Sequence, residues 1–133
     1  VSSAASDVYK RQLKYLIKND FSPFKKKKSL FAMTAHVIYL DIDPLNTATH
    51  SCKVINLIRK KIGFKNILIS DDISMKALRY STKTNTIKAF TSGCNLVLHC
   101  NGKLHEMRTV AENSPILSKF MIKKTSQFYN FLS

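Results

Sequence analysis

The chain has 133 residues and a mass of 15.1 kDa. That suits one compact domain and excludes a complete closed α/β barrel, which takes about 250 residues. Hydrophobic residues make up 44%, enough for a core, so a disordered chain is excluded. Twenty-two basic against eight acidic side chains give a net charge of +14. This balance suits nucleic acid or another polyanion. Yet the basic runs, at residues 25–28, 59–61 and 123–124, are scattered along the chain. Charge runs are usually solvated faces, so a basic nucleic-acid-binding domain or a non-catalytic interaction domain is the lesser reading.

The three glycines, Gly63, Gly93 and Gly102, fit neither a GxGxxG turn nor a GxxxxGK[ST] loop. Cys52, Cys94 and Cys100 are an odd count without a CxxC pair, as expected for free thiols in a reducing compartment. No apolar run reaches the roughly 18 residues of a membrane span, and no signal-peptide pattern opens the chain. The expectation is a cytoplasmic protein with no membrane partner.

Residues 1–12 (VSSAASDVYKRQ) look like translated adapter sequence, a non-native leader to be set aside. The other reading is a helix start capped by Ser6 or Asp7. Residues 13–19 carry apolar side chains at 13, 16 and 17 and fit the end of an amphipathic helix, broken before Pro23. Residues 30–39 are almost continuously apolar and predict a strand buried on both faces. Residues 41–51 form a loop. Ser51 then caps a helix over Val54, Ile55, Ile58 and Ile62 that stops at Gly63. Residues 65–70 predict a second strand, 74–80 and 84–91 helices, and 96–100 a third strand. Asn101-Gly102 is a turn, followed by helices over 103–112 and 116–132.

Strands begin about 30 to 35 residues apart, the length of a βαβ unit. The order predicts an α/β fold with a parallel sheet. Ligands of such sheets sit at the carboxyl ends of the strands. The polar residues there are His36 with Tyr39, Asp71 with Asp72, and His99 with Asn101. A carboxylate leaving a buried strand is either a nucleophile or base or a helix cap. Asp71 and Asp72 point in different directions, so one can face a pocket while the other caps. A histidine inside an apolar strand, as His36 is, more often hydrogen-bonds in a core than binds a ligand. Cys94, His99, Cys100 and His105 are too loosely spaced for structural zinc, so no metal site is assigned. No GxSxG elbow presents a serine nucleophile.

The segments MTAHVIY (33–39), VINLIRKKIGF (54–64), ILISDDISMKAL (67–78) and SGCNLVLHCNG (92–102) together resemble bacterial β-N-acetylhexosaminidases of the NagZ type. These belong to family 3 of the glycoside hydrolases. The resemblance runs from about residue 13 to at least Pro115. It implies a partial (β/α)8 barrel (TIM barrel), about three consecutive βα units at the carboxyl-terminal end of the catalytic barrel, carried by residues 13–133. It also implies removal of terminal β-linked N-acetylglucosamine from muropeptides or related oligosaccharides during cytoplasmic peptidoglycan recycling. The mechanism would be retaining, without cofactor or metal. The family nucleophile falls on Asp71, with His36 and Met75 as substrate-binding wall residues.

Departures accompany the matches. The family's acid/base histidine follows a KHFPGHG segment that does not occur here. Thr47-Ala48-Thr49 stands where Pro-Ala-Thr is usual, and Asn95 where Asp is usual. The expectation is a fragment, inactive alone, that needs the amino-terminal barrel half.

Overall fold

The computed structural model describes residues 7–132. Strand β1 (Val8–Tyr9) is followed by α1 (Leu13–Tyr15), which continues in wider π-helical turns over Leu16–Asp20. A 3-10 turn, Ser22–Phe24, holds Pro23 in its first turn, where a missing N–H leaves no bond unmade. Next come β2 (Phe31–Met33) and β3 (Ile38–Tyr39). Helix α2 (Cys52–Leu57) runs on in π-helical turns through Ile58–Ile62. Then follow β4 (Ile67–Asp72), α3 (Thr82–Ser92), β5 (Leu96–Leu98), α4 (Leu104–Glu112) and α5 (Lys119–Leu132).

Three strands form a parallel sheet in the order β2-β4-β5. Among the described residues this sheet does not close into a barrel. Strand alternation puts Ala32, Leu68 and Val97 on one face, where they pack with Ile55, Ile58, Phe64, Ala89 and Cys94. On the other face, Phe31 meets Phe128 of α5 edge-on, with ring centroids 5.4 Å apart. Arg59 knits the amino end of the sheet. Its guanidinium donates to Phe64 O at 3.1 Å, and to Asn66 O and Asn95 Oδ1 at 2.7 Å each. Asn95 Oδ1 also accepts from Leu68 N, so a neutral side-chain oxygen serves both donors.

Several expectations hold. Ser51 Oγ accepts from Val54 N and caps α2, Val54 and Ile55 are buried, and Gly63 ends the helical run with φ +81°. Other expectations need correction. Residues 30–39 are not one strand. The chain leaves the sheet after Thr34, whose N–H donates to Ile69 O. Ile38 and Tyr39 instead pair in parallel with Val8 and Tyr9. Nor is β2 buried on both faces. It lies at an end of the sheet order, and Met33 is 57% exposed. The strand with fully buried neighbours of opposite facing is β4, through Ile67 and Leu68.

Residues 74–80 form successive turns rather than a helix, because the flanking backbone groups are engaged elsewhere. Ile73 N donates to Leu98 O, and Asn85 Nδ2 donates to the carbonyls of Ile73 and Tyr80. The last helix starts at Lys119, where Ser118 Oγ accepts from Met121 N. Of the two candidate caps near the start of the chain, Ser6 lies outside the described residues. Asp7 precedes β1 and caps no helix; its carbonyl accepts from Ile38 N.

Gly93 turns the chain out of α3 with φ +114°, and a Cβ there would sit 2.9 Å from Ile55 Cγ2. Gly63 also has positive φ but nothing within 4 Å of such a Cβ. Gly63→Ala should therefore cost roughly 1 kcal/mol through the backbone alone. Gly93→Ala adds a clash with the core and should cost about 2–3 kcal/mol. Urea midpoints of the two variants measure the difference; equal losses would show that Ile55 yields freely.

Candidate active site

His36, the end of β4 and the exit of β5 meet at Asp72, but Tyr39, expected beside His36, lies in β3 against Tyr9 and Phe21. Asp72 Oδ1 accepts from Ser74 N at 2.9 Å, Ser74 Oγ at 2.7 Å and Cys100 N at 3.1 Å. Its carbonyl accepts from His36 Nε2 at 2.8 Å and Met75 N at 3.1 Å. Burial alone would raise the Asp72 carboxyl. The bonds from Ser74 and Cys100, with His99 nearby, outweigh it and hold the group below its usual range.

Strand pairing explains how Asp71 comes to differ. Ile69 pairs with Leu96 and Asp72 with Leu98, so β4 advances three residues while β5 advances two. The extra residue is a β-bulge, a device that re-aims side chains near functional sites. Ser70, fully buried, fills the broken ladder by accepting from Leu98 N at 3.0 Å. Asp71 is half-buried. Its Oδ1 accepts from Asp72 N at 2.8 Å, and its Oδ2 has no hydrogen-bond partner among the described residues. A carboxylate oxygen at the carboxyl end of the most buried strand is therefore available for chemistry. Met75, 44% exposed, stands in the turn that follows.

His36 is placed differently from a side chain that reaches for a ligand. It is 5% exposed, and both ring nitrogens are engaged: Nε2 with Asp72 O, and Nδ1 with Thr49 Oγ1 at 2.9 Å. Nε2 must carry a proton to donate to the carbonyl. Thr49, also buried, bridges to Thr34 Oγ1 at 2.9 Å and to Ala35 O at 3.2 Å. The histidine thus positions the end of β4. The sequence named His36 but missed Ser70, Ser74 and Thr49; the available signal was small hydroxyl residues inside apolar segments.

At the end of β5, His99 turns to Glu106 of α4, Nε2 to Oε2, at 3.0 Å. Asn101 Nδ2 donates to the same oxygen at 2.7 Å. These bonds, His99 first, lower Glu106 to about 2. His105 reaches Glu106 Oε1 at 3.8 Å. Cys94 is buried beneath the sheet, where burial lifts its thiol to about 11. The Cys/His set does not converge, and the described residues hold no group of three metal-ligating side chains. Two clefts, of about 380 and 220 Å³, lie elsewhere. The larger is an apolar groove along β2 and α2, and neither includes Asp71 or Met75 in its walls.

The family model described as the glycosyl hydrolase family 3 N terminal domain matches residues 2–125. The chain belongs to glycoside hydrolase family 3. The domain that this model describes is an α/β fold of the TIM-barrel type. Curated relatives include a β-hexosaminidase of Nitrosomonas eutropha, 40% identical over 90 residues, covering 63% of this chain and 26% of the relative. Another, from Psychromonas ingrahamii, is 29% identical over 134 residues, covering 96% and 38%. Native NagZ from Neisseria gonorrhoeae superposes with a TM-score of 0.77 at 25% identity, over 93% of this chain and 36% of that one. The chain therefore spans between about a quarter and two fifths of the length of these relatives.

Two outcomes follow from this arrangement. Asp72→Ala removes an acceptor shared by three donors and should cost about 2–3 kcal/mol, whereas Asp71→Asn should change stability by less than about 0.5 kcal/mol. Thermal or urea unfolding distinguishes them, and equal effects would overturn the division between the two aspartates. The second outcome concerns acid. His50 is buried, and burial, with Lys88 nearby, lowers it from 6.5 to about 4. The unfolded chain takes up that proton first, so stability falls as pH drops from 6.5 toward 4. Glu106 stays ionised in the fold down to about 2, so its contribution is complete above 4.5 and is lost between 4.5 and about 2. His50→Leu should flatten the upper part of the profile of melting temperature against pH, and Glu106→Gln the lower part.

Proposed function

We propose that this chain carries the nucleophile of a retaining β-N-acetylhexosaminidase and forms the carboxyl-terminal part of its catalytic barrel, through residues 13–133. The observation that carries the reading is the uncommitted Oδ2 of Asp71 at the carboxyl end of β4, beside an aspartate wholly occupied in structure. In the first step an Asp71 oxygen bonds to the anomeric carbon as the bond to the leaving oxygen breaks. In the second, water attacks the same carbon, gives its proton to the group that had protonated the leaving oxygen, and releases Asp71 as carboxylate. Met75 forms part of the sugar-binding wall. His36 serves the same wall indirectly, by fixing the carbonyl of Asp72.

The substrate class is a terminal β-linked N-acetylglucosamine on a muropeptide or oligosaccharide, and the setting is cytoplasmic peptidoglycan recycling. The three free thiols, Cys52 and Cys100 exposed and Cys94 buried, support a reducing compartment. No helix of the described residues is long and apolar enough to cross a membrane. The leaving oxygen needs a proton, which the family draws from a histidine after a KHFPGHG segment that these 133 residues lack. Further barrel strands would pair at the free edges of β2 and β5 and bring both the proton donor and the remaining sugar contacts.

The test is a chimera in which residues 13–133 replace the corresponding segment of the gonococcal enzyme. It should cleave a chromogenic N-acetylglucosaminide, and Asp71→Asn should reduce turnover by more than about a thousandfold. A slow fluorinated N-acetylglucosamine donor should leave its adduct on the peptide containing Asp71. The isolated 133-residue chain should be inactive. An adduct on any other residue would refute the assignment.

A further inference from the structure

We propose that the amino end of the β2-β4-β5 sheet is a docking face for an anionic lipid bilayer. This inference does not depend on the glycosidase reading, since it concerns the end of the sheet opposite Asp71, and it departs from the expectation of no membrane partner. Lysines far apart in sequence converge there. The four lysines 25–28 precede β2, and Lys60, Lys61 and Lys65 precede β4; all seven are exposed. Phe31 pairs with Ile67, and Asn66 Nδ2 donates to Ser29 O at 2.8 Å, so the two approaches to the sheet lie side by side. Arg59 pins the end of the α2 helical run to the starts of β4 and β5, which holds Lys60 and Lys61 on the same face.

Among the described residues none of these lysines forms an ion pair. Five of the eight carboxylates lie elsewhere. Asp71, Asp72 and Glu106 sit at the carboxyl ends of β4 and β5, and Asp41 and Asp43 follow β3. Asp20, the acid nearest to residues 25–28 in sequence, is held by Arg11 at 2.9 and 3.0 Å. The result is a face of seven exposed lysines with no ion pair among the described residues.

An apolar element sits within that face. Phe24 is 62% exposed at the head of the lysine loop, and Phe24 and Lys27 both line the apolar groove along β2. Clustered lysines attract anionic headgroups, and an aromatic ring beside them suits the headgroup level of a bilayer. Nucleic acid fits less well. Its recognition favours guanidinium forks and rows of stacking rings. Here the arginine of this face, Arg59, is committed to protein oxygens. Docking this way leaves the carboxyl end of the sheet, with Asp71, facing water.

The test is co-sedimentation of the whole chain with vesicles of phosphatidylglycerol and phosphatidylcholine, against pure phosphatidylcholine. Binding is expected only to the anionic vesicles and should weaken with added salt. The triple variant K26E/K60E/K65E should bind at least about tenfold more weakly. K53E/K76E/R79E, with the same net charge but changes at the opposite end, should stay within about twofold. Phe24→Ala should weaken binding without altering charge. Circular dichroism confirms that each variant is folded. Equal loss in both triple variants would reduce the effect to net charge and overturn the proposal. Absence of binding to anionic vesicles at low salt would overturn it as well, as would tighter retention by a single-stranded oligonucleotide that ignores Phe24→Ala.

Discussion

The carboxyl end of this sheet depends on how many donors one aspartate satisfies. Asp72 takes the backbone of Ser74 and Cys100 on its carboxylate and His36 and Met75 on its carbonyl. Together the four contacts fix three segments: the turn after β4, the exit of β5, and the chain that leaves β2. Backbone N–H groups at strand ends have no ladder partner of their own, and a buried donor left unmade costs a good part of its desolvation energy. A single charged acceptor that gathers several of them stabilises the local geometry more than separate turns would.

That arrangement leaves Asp71 free to differ. The bulge between Ile69 and Asp72 places two consecutive carboxylates in unlike surroundings. One becomes a structural acceptor held below the usual carboxyl range, and the other keeps an oxygen without a hydrogen-bond partner among the described residues. Buried Ser70 makes the bulge tolerable, because its hydroxyl accepts the Leu98 N–H at the interrupted ladder. His36 belongs to the same construction. Its ring spans Asp72 O and Thr49 Oγ1 and so ties the loop before α2 to the end of β4.

The sequence was readable wherever a local rule decided the outcome. Ser51 before an apolar helical spacing gave a capped helix, Gly63 gave a left-handed stop, and the apolar run before Asp71 gave the buried strand. It misled where partners distant in sequence competed for the backbone. Residues 74–80 have helical spacing, but Leu98 O and Asn85 Nδ2 engage Ile73 and the carbonyl of Tyr80. Residues 30–39 have strand composition, but only Phe31–Met33 lies against β4. The scattered lysines gave no sign of a shared face, because their proximity comes from parallel strand register.

Local spacing and composition by themselves determined the alternation of strands and helices and the aspartate pair at the end of β4, while the family entered through the resemblance of whole motif segments. These follow from caps, periodicity and motif residues that are neighbours in the chain. Tertiary structure alone decided which aspartate serves the fold, that His36 is a support inside the protein, and that lysines 25–28, 60, 61 and 65 gather at the amino end of the sheet. Those outcomes depend on hydrogen bonds and register between segments some 30 residues apart, such as His36 with Asp72 and Ser70 with Leu98, and no local pattern encodes such pairings.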